Sequence, residues 1–140
     1  MGSILIKNGT IVTADQKFKA DILVEEAKIS GIGLHLKEDL KDCSVIEAEG
    51  NIIFPGGIDA HVHFALPTPA GPSCDDFLSG SRAAMAGGTT YFIDFVTPSR
   101  GQSLKEALLL RNAEVANSLL DCGLHMGITW FDETIPAQME

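Results

Sequence analysis

Hydrophobic and polar positions follow two different rhythms along this chain. Through residue 53 the apolar residues come in short β-type runs. ILIK and TIVT flank Asn8-Gly9, and ADILVEE (20–26), KISGIG (28–33) and SVIEAEGNIIF (44–54) follow, all rich in β-branched residues. Asn-Gly between two such runs predicts a two-residue hairpin. Residues 1–53 therefore predict a small antiparallel sheet or half-sandwich, with HLKEDLKDC (35–43) as a polar connection that has room for one helical turn.

From residue 54 to residue 140 strand-like and helix-like segments alternate. GIDAHVHF reads as a strand, and CDDFLSGSRAAMAGG as a helix capped by Ser73 or Asp75, with Phe77, Ala84 and Met85 as its apolar stripe and Gly87-Gly88 as its stop. TTYFIDFV (89–96) is nearly continuous in apolar character, as in a strand covered on both faces. The segment 103–123 opens with Ser103-x-x-Glu106, a capping box, carries Leu104, Leu108, Val115 and Leu119 near helical spacing, and meets Gly123 as its stop. LHMGITWF (124–131) reads as a third strand. The order β-α-β-α-β predicts an α/β fold with a parallel sheet. A closed (β/α)8 barrel takes about 250 residues, so the expectation is the incomplete first portion of such a barrel, in an N-terminal fragment of something larger. A small open α/β fold is the alternative.

Composition changes this picture little. The 45% apolar content belongs to a globular chain, and no run approaches the ~18 residues of a membrane span. Nineteen acidic against ten basic residues, a net charge of −9 with no Lys/Arg cluster, argue against nucleic-acid and anionic-membrane partners. Cys43, Cys74 and Cys122 are odd in number and widely spaced, which fits neither a disulfide framework nor a zinc ribbon. With no secretory leader at the start, the expected location is the cytoplasm.

The candidate chemistry lies in FPGGIDAHVHFALP (54–67). In an extended chain Asp59, His61 and His63 share one face. Two imidazoles from positions i and i+2, near the C-terminal end of a parallel strand, can meet one metal ion at about 2.0–2.1 Å each, where α/β active sites are built. Two half-exposed loop histidines are the plain alternative. Asp59 is placed to orient the strand or a ligand.

PGGIDAHVHF, CDDFLSGSRAAMAGGTTYFIDF and LHMGITWFDE resemble successive blocks of the hydantoinase and dihydropyrimidinase branch of the cyclic amidohydrolases. The first block is shared by many amidohydrolases; the DDF…AAMAGGTT…DF pattern is more particular to this branch. The resemblance implies a (β/α)8 barrel beside a β-sandwich built from both chain ends, and two divalent metal ions, zinc being the usual pair, bridged by a carboxylated lysine. It assigns His61 and His63 to the more buried metal. The bridging lysine, two further histidines and an aspartate are expected beyond residue 140, so no catalytic acid or base falls within this sequence.

The implied reaction is hydrolysis of a cyclic amide or ureide. Hydroxide generated at the metals opens a hydantoin or dihydropyrimidine ring to an N-carbamoyl amino acid. Dihydroorotases place an arginine two residues after the second histidine to hold a substrate carboxylate; here that position is Ala65. An uncharged ring is thus favoured, with Phe64 and Leu66 as candidates to line the substrate site or, alternatively, to pack beneath the Pro-rich loop. The resemblance further implies a homo-oligomer, usually a tetramer. The alternatives within the superfamily are an allantoinase or a non-catalytic, dihydropyrimidinase-like scaffold, although scaffolds lose the histidine pair that this chain keeps. Alone, with two ligands of a two-metal site, the 140-residue chain is expected to be inactive.

The remaining chemistry-bearing residues read as structural or solvated. His125 falls at the start of the third predicted strand, away from the chemistry, and His35 in the polar connection. Cys74 lacks a basic partner. Asp132 and Glu133 read as a solvated chain end and Trp130 as core. Asp94, an acid inside an apolar strand, is left either as a core hydrogen-bonding group or as a support of the metal site.

Overall fold

The computed structural model describes residues 2–36 and 42–139, so most of the polar connection lies outside the described residues. The chain divides into two compact units, Met1–Pro55 and Gly56–Glu140.

The first unit is a five-stranded sheet. Strands β1 (Ser3–Val12), β2 (Lys17–Glu25) and β3 (Lys28–Gly33) run antiparallel, whereas β4 (Cys43–Glu47) and β5 (Ile52–Ile53) both pair parallel to β1. The sheet is therefore mixed, not antiparallel. Ile11, Ala20 and Ile22 form the buried cluster on one face, with Ile6, Phe18, Val24 and Ile53 packed against it, whereas the wholly buried Leu5, paired with Leu23, faces the other side.

Asn8-Gly9 does not turn the chain. It lies inside β1, where Asn8 adopts φ 59° and the register to β2 shifts between Ile6 and Gly9. The bulge frees the Asn8 N–H from the ladder, and the Asp21 carboxylate accepts it at 2.9 Å while also accepting the Leu36 N–H at 3.0 Å. The Asn8 side-chain amide donates to Glu47 at 3.1 Å. Long-range partners thus decide the conformation of a dipeptide that favours hairpins locally. The tight turn lies instead at Glu26-Ala27, with φ 49° and 60°, the two left-handed residues that a two-residue hairpin requires.

Donation from Asn8 holds the nearly buried Asp21 carboxyl below its ordinary range, with Leu36, Lys7 and His35 adding to the effect against the cost of burial. Because the folded value is depressed, the stability it confers is present above the unfolded value of about 3.9 and is lost as pH falls through the folded one. Urea unfolding at pH 5 and at pH 3 should show a steeper loss for the native chain than for Asp21→Asn. Equal losses would remove Asp21 from the acid response.

The second unit begins with β6 (Gly57–Asp59), followed by a small hairpin of β7 (Pro67–Thr68) and β8 (Gly71–Pro72). Helix α1 (Phe77–Ala86), strand β9 (Thr89–Val96), helix α2 (Leu104–Val115), strand β10 (Asp121–Met126) and the short helix α3 (Ile135–Gln138) complete it. Strands β6, β9 and β10 make a parallel sheet with β9 in the centre, so this unit is α/β in the β-α-β-α-β order.

Several boundaries differ from the sequence expectation. Asp76 caps α1: its carboxylate accepts the Ser79 N–H at 2.7 Å and the Ser79 hydroxyl faces the Asp76 N–H at 3.1 Å. The Ser73 hydroxyl oxygen accepts the Leu66 N–H at 2.9 Å instead, and Asp75 accepts the Ala65 N–H at its carbonyl at 2.7 Å and the Ser79 hydroxyl at its carboxylate at 3.1 Å. Helix α2 does start at its Ser103 cap but stops at Val115, eight residues before Gly123. Leu119 and Leu120 belong to the lead into β10, where Asp121 pairs with Tyr91. Gly123 lies within that strand, and a Cβ there would stand 2.9 Å from the Tyr91 hydroxyl. The third strand accordingly ends at Met126, and the predicted strand 124–131 is displaced toward the N-terminus.

The buried stripe of α2 is Leu104, Ala107 and Arg111, with Leu108 and Leu119 exposed. An arginine takes a core position because Asp94, wholly buried on β9, faces it at 2.8 Å. Phe92, Asp94 and Val96 form the buried face of β9. Phe64, Phe77 and Phe92 make an aromatic cluster with ring centroids 5.1–6.2 Å apart. Helix α1 approaches this cluster through Gly80, where a Cβ would collide with the Phe64 ring.

Candidate metal site

Regular strand pairing in β6 ends at Asp59, so the two histidines follow the strand rather than lying within it. The segment still tracks β9, because the Val62 N–H donates to the Ile93 carbonyl at 3.0 Å. Alternation therefore persists, and His61 and His63 project together. Their Nε2 atoms are 3.0 Å apart, with ring centroids at 5.0 Å and the planes inclined by 71°.

Phe95 supports both rings. Its centroid lies 4.6 Å from that of His61 and 5.0 Å from that of His63, the latter in a stacked arrangement. Phe95 follows Asp94 on β9, so these neighbours face opposite sides of the sheet. Asp94 thus lies on the helix-covered side and not among the imidazoles. The Asp59 carboxylate accepts the backbone N–H of His61 at 3.2 Å, an interaction with the peptide rather than with an imidazole.

Two nitrogens 3.0 Å apart, each about 2.0–2.1 Å from a shared zinc, subtend roughly 95°, an angle open to neighbouring ligands of one ion. The residues fit the group. Both histidines are exposed, and among the described residues no cluster of three or more His, Cys, Asp or Glu side chains is disposed to hold an ion.

His125 is misplaced by the sequence expectation. As the last but one residue of β10 it lies at the same sheet end as the histidine pair, exposed, with its ring 5.3 Å from that of Phe95. The displaced strand accounts for the error. His35 is exposed in the other unit, and Cys74 is exposed with its thiol 3.6 Å from the Asp75 carboxylate. All three cysteines are free. Trp130 is half-buried, and its indole N–H has no partner among the described residues.

After His63 the chain turns at Ala65, which adopts φ 46°. The Phe64 ring enters the aromatic cluster, the packing role weighed for it beside substrate contact. Leu66 is half-buried and lines a cavity with Pro67, Thr97, Gln102 and Arg111, in which neither histidine takes part.

Comparison with known proteins identifies the setting of this pair. The chain is 47% identical to a dihydropyrimidinase of Dictyostelium discoideum over 99% of its own length, and 44% identical to a D-hydantoinase of Geobacillus stearothermophilus over 89%. It belongs with the dihydropyrimidinases and D-hydantoinases. A solved D-hydantoinase superposes with a TM-score of 0.91 at 38% identity, covering 98% of this chain and 30% of that one. The D-hydantoinase of a Thermus species gives 0.90 at 42% identity, covering 97% and 30%. No protein-family model matches. The chain spans only 28% and 26% of the length of the two curated relatives, so it corresponds to about a quarter of such a protein. Among the described residues no helix is long and apolar enough to cross a membrane.

Proposed function

We propose that this chain supplies the first two metal ligands, His61 and His63, of a hydrolase that opens cyclic amide rings of the hydantoin or dihydropyrimidine type to N-carbamoyl amino acids. The observation that carries the reading is the 3.0 Å approach of the two Nε2 atoms at the C-terminal end of a parallel sheet. Similarity to dihydropyrimidinases and D-hydantoinases supports the substrate class. We read residues 1–53 as part of a β-sandwich and 54–140 as the opening of a (β/α)8 barrel, with two zinc ions in the complete protein. The family resemblance also points to a homotetramer, and the three free cysteines to a reducing cytoplasm.

When bound, the divalent metal supplies an acidified water and a Lewis acid for the ring carbonyl. The residues of this chain hold and orient. Phe95 backs both imidazoles and limits their rotation, and Asp59 fixes the His61 peptide. Ala65 offers no cation to a substrate carboxylate, which favours an uncharged ring. Phe64 serves from beneath, through its place in the aromatic cluster, and Leu66 is the side chain of the two left to approach substrate.

The full-length protein containing this chain should convert dihydrouracil or hydantoin to the carbamoyl acid, contain about two zinc ions by elemental analysis, and lose activity reversibly to a chelator. The isolated 140-residue chain should turn over neither ring. A folded full-length protein that takes up no divalent metal would overturn the reading.

A further inference from the structure

We infer that Asp94 and Arg111 are positioning residues for the histidine pair, acting through the peptide groups of Phe64. The inference rests on the metal-site reading above and adds two residues that touch neither imidazole.

Phe64 directly follows His63 at the point where the chain leaves the sheet and turns through the left-handed Ala65. A segment making such an exit must satisfy its peptide groups away from the strand ladder. One ion pair satisfies both groups of Phe64. Its N–H donates to Asp94 Oδ2 at 3.0 Å, and its carbonyl accepts from Arg111 Nη2 at 2.6 Å. The same Nη2 donates to Asp94 Oδ1 at 2.8 Å, closing a ring that joins the end of the histidine segment, β9 and α2.

The ion pair is anchored from several sides. Asp94 is wholly buried, and its Oδ1 also accepts the Phe95 N–H. Arg111 is 9% exposed, its guanidinium lies 4.6 Å above the Phe77 ring, and its Nη1 donates to Glu114 at 2.6 Å. Burying an ion pair is costly, and apolar residues of similar volume commonly fold at least as well. Fold stability alone is thus a weak reason for a charged pair here. Its geometry has a more particular consequence. The peptide after His63 is held to the strand whose next residue, Phe95, backs both imidazoles. Backbone and rings are consequently referenced to adjacent residues of one strand, which sets the direction in which the His63 Nε2 meets that of His61.

A single guanidinium nitrogen, Nη2, serves both Asp94 and the Phe64 carbonyl, and lysine at position 111 keeps a cation beside Asp94 while its ammonium, one bond shorter in reach, falls short of that point between them. The test compares the native chain with Arg111→Lys, Arg111→Met, Asp94→Asn and Glu114→Gln. Cobalt(II) affinity is read by its visible absorption, and the two imidazoles by their side-chain 15N resonances in metal-free protein, well below each variant's unfolding temperature. Folded Arg111→Lys and Asp94→Asn should bind cobalt about 10–100-fold more weakly, as for groups that orient metal ligands through others, with both imidazole resonances displaced. Glu114→Gln, which leaves the Phe64 contacts in place, should bind as the native chain does.

Cobalt affinity within twofold of native and unmoved imidazole resonances in folded Arg111→Lys would overturn the inference. Equal weakening by Glu114→Gln would also overturn it, since any damage to α2 would then suffice. If the native chain binds no cobalt, two imidazoles alone do not retain the ion; uptake by the full-length protein then decides the metal-site reading, and the imidazole resonances still decide whether Asp94 and Arg111 set the geometry of the pair.

Discussion

Replacing either His61 or His63 with alanine should lower the affinity of the chain for zinc or cobalt by about 10²–10⁴-fold. The estimate is the gain expected when a second ligating group is held at high effective concentration beside the first. The rings are 3.0 Å apart at Nε2 before any ion arrives, so little ordering remains to be done on binding. Both side chains are exposed, and neither substitution opens a core cavity. Competition against a coloured chelator measures the change, and thermal unfolding should move by only a few degrees. His35→Ala, in the other unit, should leave affinity unchanged. His125→Ala is the more demanding control: a loss matching that of His61→Ala would show that a third imidazole at this sheet end takes part, and would revise the site.

Phe92→Ala should cost about 3–5 kcal/mol of folding stability, the range for deleting a buried aromatic ring. Phe92 has no exposed surface and its ring meets those of both Phe64 and Phe77. With total stabilities of about 5–15 kcal/mol typical, such a loss approaches the limit at which a domain stays folded. Urea denaturation gives the number. Phe92→Leu, which keeps most of the volume, should cost less than half as much. A loss below about 1.5 kcal/mol for the alanine variant would mean that the neighbouring rings close the space and that the cluster is less tightly fitted than its geometry indicates.

The sequence made some features legible and hid others for identifiable reasons. Alternation of Asp59, His61 and His63 was readable because side-chain direction in extended chain depends only on parity. The β-α-β-α-β order was readable from the change of period after residue 53, and the Ser103 cap from its hydroxyl and position. Asn8-Gly9 misled because a contact thirteen residues away, from Asp21, fixes its conformation. Leu119 continues the apolar spacing of α2 past its end at Val115, where the strand requirement of β10 overrides it, and the same shift sets His125 at the opposite end of its strand from the one the spacing suggests. In the sequence the Asp94–Arg111 pair showed only one half, an acid inside an apolar strand; its partner lies seventeen residues on, in a helix whose leucines suggested a different buried stripe.

Strand β9 carries two unlike tasks on consecutive residues, and this restricts how the gene can change. Inserting or deleting one codon between Thr89 and Asp94 would exchange the faces of everything downstream in the strand, turning Asp94 toward the imidazoles and Phe95 toward Arg111. No point substitution elsewhere repairs such a shift. The connection of residues 97–102, beyond the strand, carries no comparable parity. Length variation among descendants of this sequence should therefore accumulate there and leave the eight codons of β9 uncounted and uncut.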